Sequence, residues 1–415
     1  MNVLLRGIRG CACGRDHFCP IDCVAIGPDA LSRLPELCAG YGGILLVCDE
    51  NTLAACGGRV EQLISEKLTG TVCFSGKSVL IPDETALETV SAAVTPKTDL
   101  ILGVGSGVIN DICKQVSFAK DLPYFIVATA PSMDGYASVG AALILGGMKV
   151  TLNARPPKAI LGDTSVLKDA PMEMLQAGWG DIVGKFSCLN DWKLAALLRG
   201  EYFCQRVWQL TYDTAVEVRA LASGVLSRDP DAVGRLMEAL VAVGIAMSFV
   251  GNSRPASGSE HHLSHFFEIT GILEGKPYLP HGIDVLYSSV LTARLRETIC
   301  LSLPHDYAFD RAAWEGEIRR IYSTSAPEVM ALQDRLGWYE ENEYDRVAAI
   351  WPEIRDLLRE APNEKEMRTM TADIGLDYDA FCSLYGEEKL KDAVLYAKDL
   401  KDRYTVLWLY YKYFR

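Results

Sequence analysis

Histidine is scarce in this chain: six residues among 415, and none between Phe18 and Glu260. Three of the six fall within Ser259-Glu260-His261-His262-Leu263-Ser264-His265, so their clustering is not a product of abundance. Basic side chains are also in deficit. The chain has 41 Lys and Arg against 54 Asp and Glu, a net charge of -13 and a pI of about 5.1. That balance argues against nucleic acid or an anionic membrane as the main partner, because phosphate would be repelled overall. It leaves room for a small phosphorylated substrate in a local basic pocket. No apolar run reaches the length needed to span a bilayer. Residues 1–10 lack an uninterrupted apolar core, so neither a membrane segment nor a signal peptide is expected. Repeats and low-complexity tracts are absent.

Thirteen cysteines without an export signal point to reduced thiols and a cytoplasmic location, and the odd count fits thiols better than a closed disulfide framework. Five metal-competent residues, Cys11, Cys13, His17, Cys19 and Cys23, crowd the N-terminus. Their spacing matches no common zinc ribbon, and a Cys-x-Cys pair is tight for tetrahedral chelation. The cluster reads as thiols near the start of a strand, with a structural metal as the alternative.

At this length two domains are expected. Short runs rich in Val, Ile and Leu recur at 23–26, 43–48, 71–74, 100–103, 124–128 and 159–161, bounded by Gly, Pro or Asp. Strands buried on both faces of a parallel sheet read this way. The stretches between them are long enough for crossover helices. Residues 1–163 are therefore expected to form a doubly wound, Rossmann-like α/β domain, with a hairpin of 141–145 and 149–152 around Gly146-Gly147. Residues 164–415 read as helical, with Pro327, Pro352 and Pro362 as breaks and an aromatic tail packed on the helices.

Ligands bind such sheets at the carboxyl ends of the strands. Asp49 ends one run and could accept a ribose hydroxyl or cap a helix. Gly103-Val104-Gly105-Ser106-Gly107-Val108-Ile109-Asn110-Asp111 could bring backbone N–H groups to a pyrophosphate, or could simply turn tightly into a helix. Thr129-Ala130-Pro131-Ser132-Met133-Asp134-Gly135-Tyr136-Ala137-Ser138 offers hydroxyls and a carboxylate, or is a polar turn. Asp181 falls in the apolar stretch Gly180-Asp181-Ile182-Val183-Gly184-Lys185, where a buried carboxylate needs a cation, hydrogen bonds or a metal. In a helix, His261 and His265 share a face. They could grip a metal, place one ligand beside one substrate contact, or form an ordinary polar face. His281 follows in Pro280-His281-Gly282.

Taken together, these motifs, with Ser253-Arg254-Pro255-Ala256-Ser257-Gly258 before the histidines, resemble those of the sn-glycerol-1-phosphate dehydrogenases. That family shares a superfamily with iron-containing alcohol dehydrogenases, glycerol dehydrogenase and dehydroquinate synthase. The length and the Cys11-Ala12-Cys13-Gly14 opening are more similar to the bacterial branch. The resemblance implies a Rossmann-like domain followed by an all-α domain, and a homodimer. It implies reduction of dihydroxyacetone phosphate to sn-glycerol-1-phosphate with NADH or NADPH. One divalent metal, nickel or zinc, would be held by Asp181, His261 and His281. Asp134, Asp181 and His265 would touch the substrate, with Asp181 and His265 catalytic. Asp49, Gly107, Val108, Ile109, Asn110, Asp111, Thr129, Ala130, Pro131, Ser132 and Ser138 would line the dinucleotide. The Asp49 charge disfavours a 2′-phosphate and so favours NAD. Arg254 and Lys185 are candidates for the substrate phosphate. The family gives His262 no role, leaving it as a support or surface residue. The alternatives are a glycerol or alcohol dehydrogenase with no phosphate requirement, and a sugar-phosphate cyclase.

Overall fold

The computed structural model describes residues 1–146 and 148–415. Among the described residues eight strands form: β1 (Cys23–Gly27), β2 (Ile44–Asp49), β3 (Leu68–Phe74), β4 (Leu100–Gly105), β5 (Tyr124–Ala128), β6 (Gly140–Leu145), β7 (Met148–Asn153) and β8 (Ala159–Asp163). Six make one parallel sheet in the order β1-β8-β5-β4-β2-β3. Strands β4, β5 and β8 are buried along their whole length, and β2 until its last residue. A strand covered on both faces has no solvent side for polar residues, which explains the unbroken apolar runs. One face packs Leu46, Leu102, Val104, Phe125, Val127 and Leu161 into a common core with the helices beside them. Strands β6 and β7 pair antiparallel as the expected hairpin, although Gly147 of its turn lies outside the described residues.

By contacts the chain divides into two compact units. The first holds Met1–Ile182 and Val216–Ser253, and the second Val183–Ala215 and Arg254–Arg415. In the first unit the Pro230–Val250 helix packs along β1, β8 and the Asp134–Ala137 turn. This helix corrects the reading that no apolar run is long enough to cross a bilayer. It has 21 residues and a mean hydropathy of 1.7 over its most apolar window, but 78% of that window is buried within the protein. A helix this largely covered needs only a narrow polar face, on which Arg235 and Glu238 are exposed.

The second unit is helical. Its Lys185–Arg199, Ser259–Glu274 and His281–Cys300 helices pack together, and the C-terminal Val406–Tyr413 helix packs on His281–Cys300. Asp191 ties three segments of this unit. It accepts hydrogen bonds from the Ser259 N–H and hydroxyl (2.7 and 2.5 Å) and the Val406 N–H (2.9 Å), beside the Arg296 guanidinium at 3.5 Å. Pro327 and Pro352 sit in the first turns of the helices Ala326–Leu336 and Trp351–Leu358, where a missing N–H costs nothing.

Candidate active site

In the first unit the sheet changes direction between β2 and β4. The chain steps outward from β2 to β3, then from β4 runs the other way through β5 and β8. A crevice beyond the strand ends at such a reversal is the ligand position of open parallel sheets. Strand β2 ends there on Asp49. Its Oδ1 accepts from the Thr52 N–H at 2.9 Å while Thr52 Oγ1 accepts from the Asp49 N–H at 3.0 Å, a closed capping box. The cap uses Oδ1 and leaves Oδ2 outside it.

Strand β4 ends beside it, and Gly107 opens the Gly107–Ala119 helix with Ser106 at its N-cap. The side chains of Asn110 and Asp111 turn inward. Asn110 Nδ2 donates to Asp111 Oδ1 at 3.0 Å, and the Ala142 N–H of the hairpin donates to Asp111 Oδ2 at 3.1 Å. What this stretch offers a ligand is therefore backbone at a helix start, not these two side chains. Sequence pattern gave no sign of the neighbouring Lys114, whose ammonium is fully buried. It donates to the Gly135 and Gly140 carbonyls (2.7 and 2.9 Å) and to Ser138 Oγ (3.2 Å), and lies 3.6 Å from Asp111 Oδ1. Burial lowers the Lys114 pKa and raises that of Asp111, each opposed by the charge of the other. The lysine thereby pins the turn that carries Asp134 and Ser138.

The 129–132 loop leaves β5 with the Thr129 N–H donating to the Gly105 carbonyl at 3.1 Å and the Ala130 carbonyl accepting from Tyr136 Oη at 2.7 Å. Its close approach to the Met172–Val183 helix requires Gly178, where a Cβ would stand 1.8 Å from the Pro131 carbonyl oxygen. Three residues on, Asp181 is fully buried and its Oδ2 accepts the Asp134 N–H at 3.0 Å. The two carboxylate residues singled out from the sequence are thus neighbours.

In the second unit the Ser259–Glu274 helix and the start of the His281–Cys300 helix bring three imidazoles together. Ring centroids lie 5.1 Å apart for His261 and His281, 5.4 Å for His265 and His281, and 6.2 Å for His261 and His265. Ligand nitrogens of His261 and His281 come within 4.8 Å of each other. Glu260 is a residue to which the sequence reading gave no role, because adjacent helical residues do not normally face each other. It is fully buried, and its Oε1 lies 2.6 Å from His261 Nδ1. Burial works to raise the Glu260 pKa, but the His261 bond and charge, with the Gly258 N–H, outweigh it and hold the pKa low. An ionised carboxylate only accepts, so His261 Nδ1 carries a proton, and when the ring is neutral its lone pair lies on Nε2. That tautomer fits a metal ligand, whose other nitrogen is commonly held by a carboxylate.

Two expectations are corrected. Arg254 is engaged by a carboxylate: its Nε and Nη2 grip both oxygens of Glu201 at 2.6 and 2.5 Å, and Nη2 also reaches the Tyr404 carbonyl at 2.8 Å. His262 is not a surface residue. It is fully buried, and burial, reinforced by the nearby charges of Arg403, Lys401 and Arg254, drives its pKa far down and keeps the ring neutral.

Residues 25–171 match the family model described as iron-containing alcohol dehydrogenase. A sulfoacetaldehyde reductase from Bifidobacterium kashiwanohense, solved in complex with NAD+, shares the fold. Its TM-score is 0.62 at 14% identity, covering 95% of this chain and 97% of that one. That likeness shows the fold, a parallel sheet with helices followed by an all-helical region. Two glycerol-1-phosphate dehydrogenases [NAD(P)+] are more similar in sequence. That of Geobacillus stearothermophilus is 32% identical over 88% of this chain and 86% of its own, and that of Bacillus licheniformis is 31% identical over 100% and 96%. The chain belongs to the glycerol-1-phosphate dehydrogenase family and is an enzyme.

Proposed function

We propose that this enzyme reduces dihydroxyacetone phosphate to sn-glycerol-1-phosphate with NADH or NADPH, using one divalent metal held by Asp181, His261 and His281. The observation that carries the reading is the Glu260–His261 pair, which holds Nδ1 of His261 and leaves Nε2 as the nitrogen of the neutral ring that could bind a metal beside a second imidazole, in a chain of this family. One carboxylate and two imidazoles, each with one ligand atom to offer, suit nickel and zinc alike. When bound, the metal supplies a Lewis acid for a ketone oxygen and the reduced nicotinamide supplies the hydride.

The protein's own residues would orient and protonate. The N–H groups at the start of the Gly107–Ala119 helix would face the pyrophosphate, and Asp49 would take the ribose hydroxyls through Oδ2, an arrangement that favours NAD. The 129–132 loop and Ser138 would flank the dinucleotide. Asp134, fixed through its N–H, would hold a substrate hydroxyl. His265 would pass a proton to the nascent alcohol, for which an imidazole is well matched near neutral pH. With Arg254 committed to Glu201, Lys185 is the remaining candidate for the substrate phosphate.

The test follows NADH absorbance with dihydroxyacetone phosphate and with dihydroxyacetone, each with added nickel or zinc. Rapid oxidation with the phosphorylated ketone alone is expected, with a product that a glycerol-3-phosphate-specific dehydrogenase leaves untouched. Equal rates with both ketones would point to a glycerol dehydrogenase. No oxidation under either metal would sink the reading.

A further inference from the structure

The N-terminal loop closes on itself before the sheet begins. Ile8 and His17 form an antiparallel bridge: the Ile8 N–H donates to the His17 carbonyl at 2.9 Å, and the His17 N–H donates back at 2.8 Å. Gly7 makes the approach possible. Its φ is +70°, and a Cβ there would stand 2.2 Å from the His17 carbonyl oxygen. Within the loop the Gly10 N–H donates to Asp16 Oδ1 at 2.7 Å, and the Gly14 N–H to the Cys11 carbonyl at 2.9 Å. These bonds gather Sγ of Cys11, Sγ of Cys13 and a ring nitrogen of His17 within 4.8 Å of one another. Cys19 and Cys23, next in sequence, do not join the group.

The histidine is set up as a ligand. His17 is 1% exposed, and its Nδ1 lies 2.9 Å from the Phe249 carbonyl at the end of the Pro230–Val250 helix. A carbonyl only accepts, so Nδ1 carries the proton and Nε2 the lone pair. Nε2 lies 3.4 Å from Cys13 Sγ. A sulfur and a nitrogen on one tetrahedral zinc stand roughly 3.6 Å apart, given bonds of about 2.3 and 2.1 Å. A backbone carbonyl on the far nitrogen is a common support of a metal-bound imidazole. All thirteen cysteines are thiols, with no disulfide among them.

We propose that Cys11, Cys13 and His17 bind a structural zinc-like divalent metal, independent of the metal proposed at Asp181, His261 and His281. Binding displaces the two thiol protons to solvent and leaves the imidazole neutral. The remaining tetrahedral position takes a further thiolate or a water. The metal staples the loop that precedes β1 to the end of the Pro230–Val250 helix through His17. The Cys-x-Cys spacing that looked too tight in sequence is accommodated because His17 approaches from across the closed loop.

Cobalt(II) substitution of the full-length wild-type protein tests this. Cobalt bound by thiolate absorbs by charge transfer in the near ultraviolet, whereas a carboxylate and two imidazoles give no such band. The band is expected in wild type, in His261→Ala and in Cys19→Ser, and is expected to be lost in Cys13→Ser. Zinc content should fall by one ion per chain in Cys13→Ser and stay the same in Cys19→Ser. Absence of the band from cobalt-loaded wild type overturns the proposal without requiring any variant to fold. A band that survives Cys13→Ser and is lost in Cys19→Ser overturns the ligand assignment.

Discussion

Glu260 Oε1 lies 2.6 Å from His261 Nδ1, so one residue fixes the tautomer of the next. Removing the carboxylate charge should loosen that control. Glu260→Gln is expected to weaken binding of the metal proposed at His261 about 10–100-fold, as changes behind a ligating histidine generally do. Competition with a chelator measures it. Wild-type affinity in the variant would mean that His261 is oriented by something else.

The neighbouring imidazoles should separate by role. His261→Ala is expected to lose the metal and with it all turnover. His265→Ala should retain metal while kcat falls by on the order of 10²–10⁴, the usual worth of a positioned proton donor. Metal analysis beside steady-state kinetics distinguishes them. Metal loss in His265→Ala would reverse the assignment within this helix.

Gly178 stands where any side chain meets the Pro131 carbonyl oxygen at 1.8 Å. Backbone cannot rotate away as a side chain would. Gly178→Ala should therefore displace the 129–132 loop, cost about 1–3 kcal/mol of stability, and raise KM for NADH more than KM for the ketone. Equal effects on both would argue that the loop does not line the dinucleotide.

The buried pair Lys398–Asp399 sets a pH dependence of stability. Lys398 Nζ donates to Asp399 Oδ2 (2.9 Å), Tyr339 Oη (2.7 Å) and the Leu395 carbonyl (2.7 Å). Burial lowers its pKa to about 8, against the pull of Asp399. In the unfolded chain a lysine titrates near 10.4. Between about pH 8 and that value the unfolded chain holds a proton that the folded lysine has released. This group's cost is therefore full below about pH 8 and is relieved as pH rises through the window. Lys398→Met should remove that contribution and, by leaving Asp399 buried without its cation, cost about 3–5 kcal/mol. Asp399→Leu added to Lys398→Met should restore much of the loss. Denaturant melts across this pH range check both statements, and an unchanged slope in the single variant would count against them.

Much of the architecture was legible in the sequence because it follows from local rules. A strand buried on both faces must be apolar at every position, so the parallel strands announced themselves as runs of Val, Ile and Leu with Gly or Asp at their ends. The ends in turn marked Asp49, Gly107 and the 129–138 stretch, and the scarcity of histidine made the 261–265 cluster stand out. What stayed hidden depends on partners distant in sequence or on the direction of a side chain. Lys114 looks like any helical lysine until the carbonyls of Gly135 and Gly140 close over it. Arg254, within the family motif, suggested a phosphate ligand, yet Glu201 takes its Nε and Nη2. The Pro230–Val250 helix reads as bilayer-compatible by composition, and only its packing in the first unit shows the apolar surface covered. The N-terminal thiols, spaced wrongly for a metal along the chain, meet His17 only because Ile8 pairs with it and closes the loop. Sequence determined the periodicity and the chemical types available, since these are properties of each segment alone. Tertiary structure decided which lone pair faces which proton, because a hydrogen bond needs both position and direction, and neither is set until the fold closes.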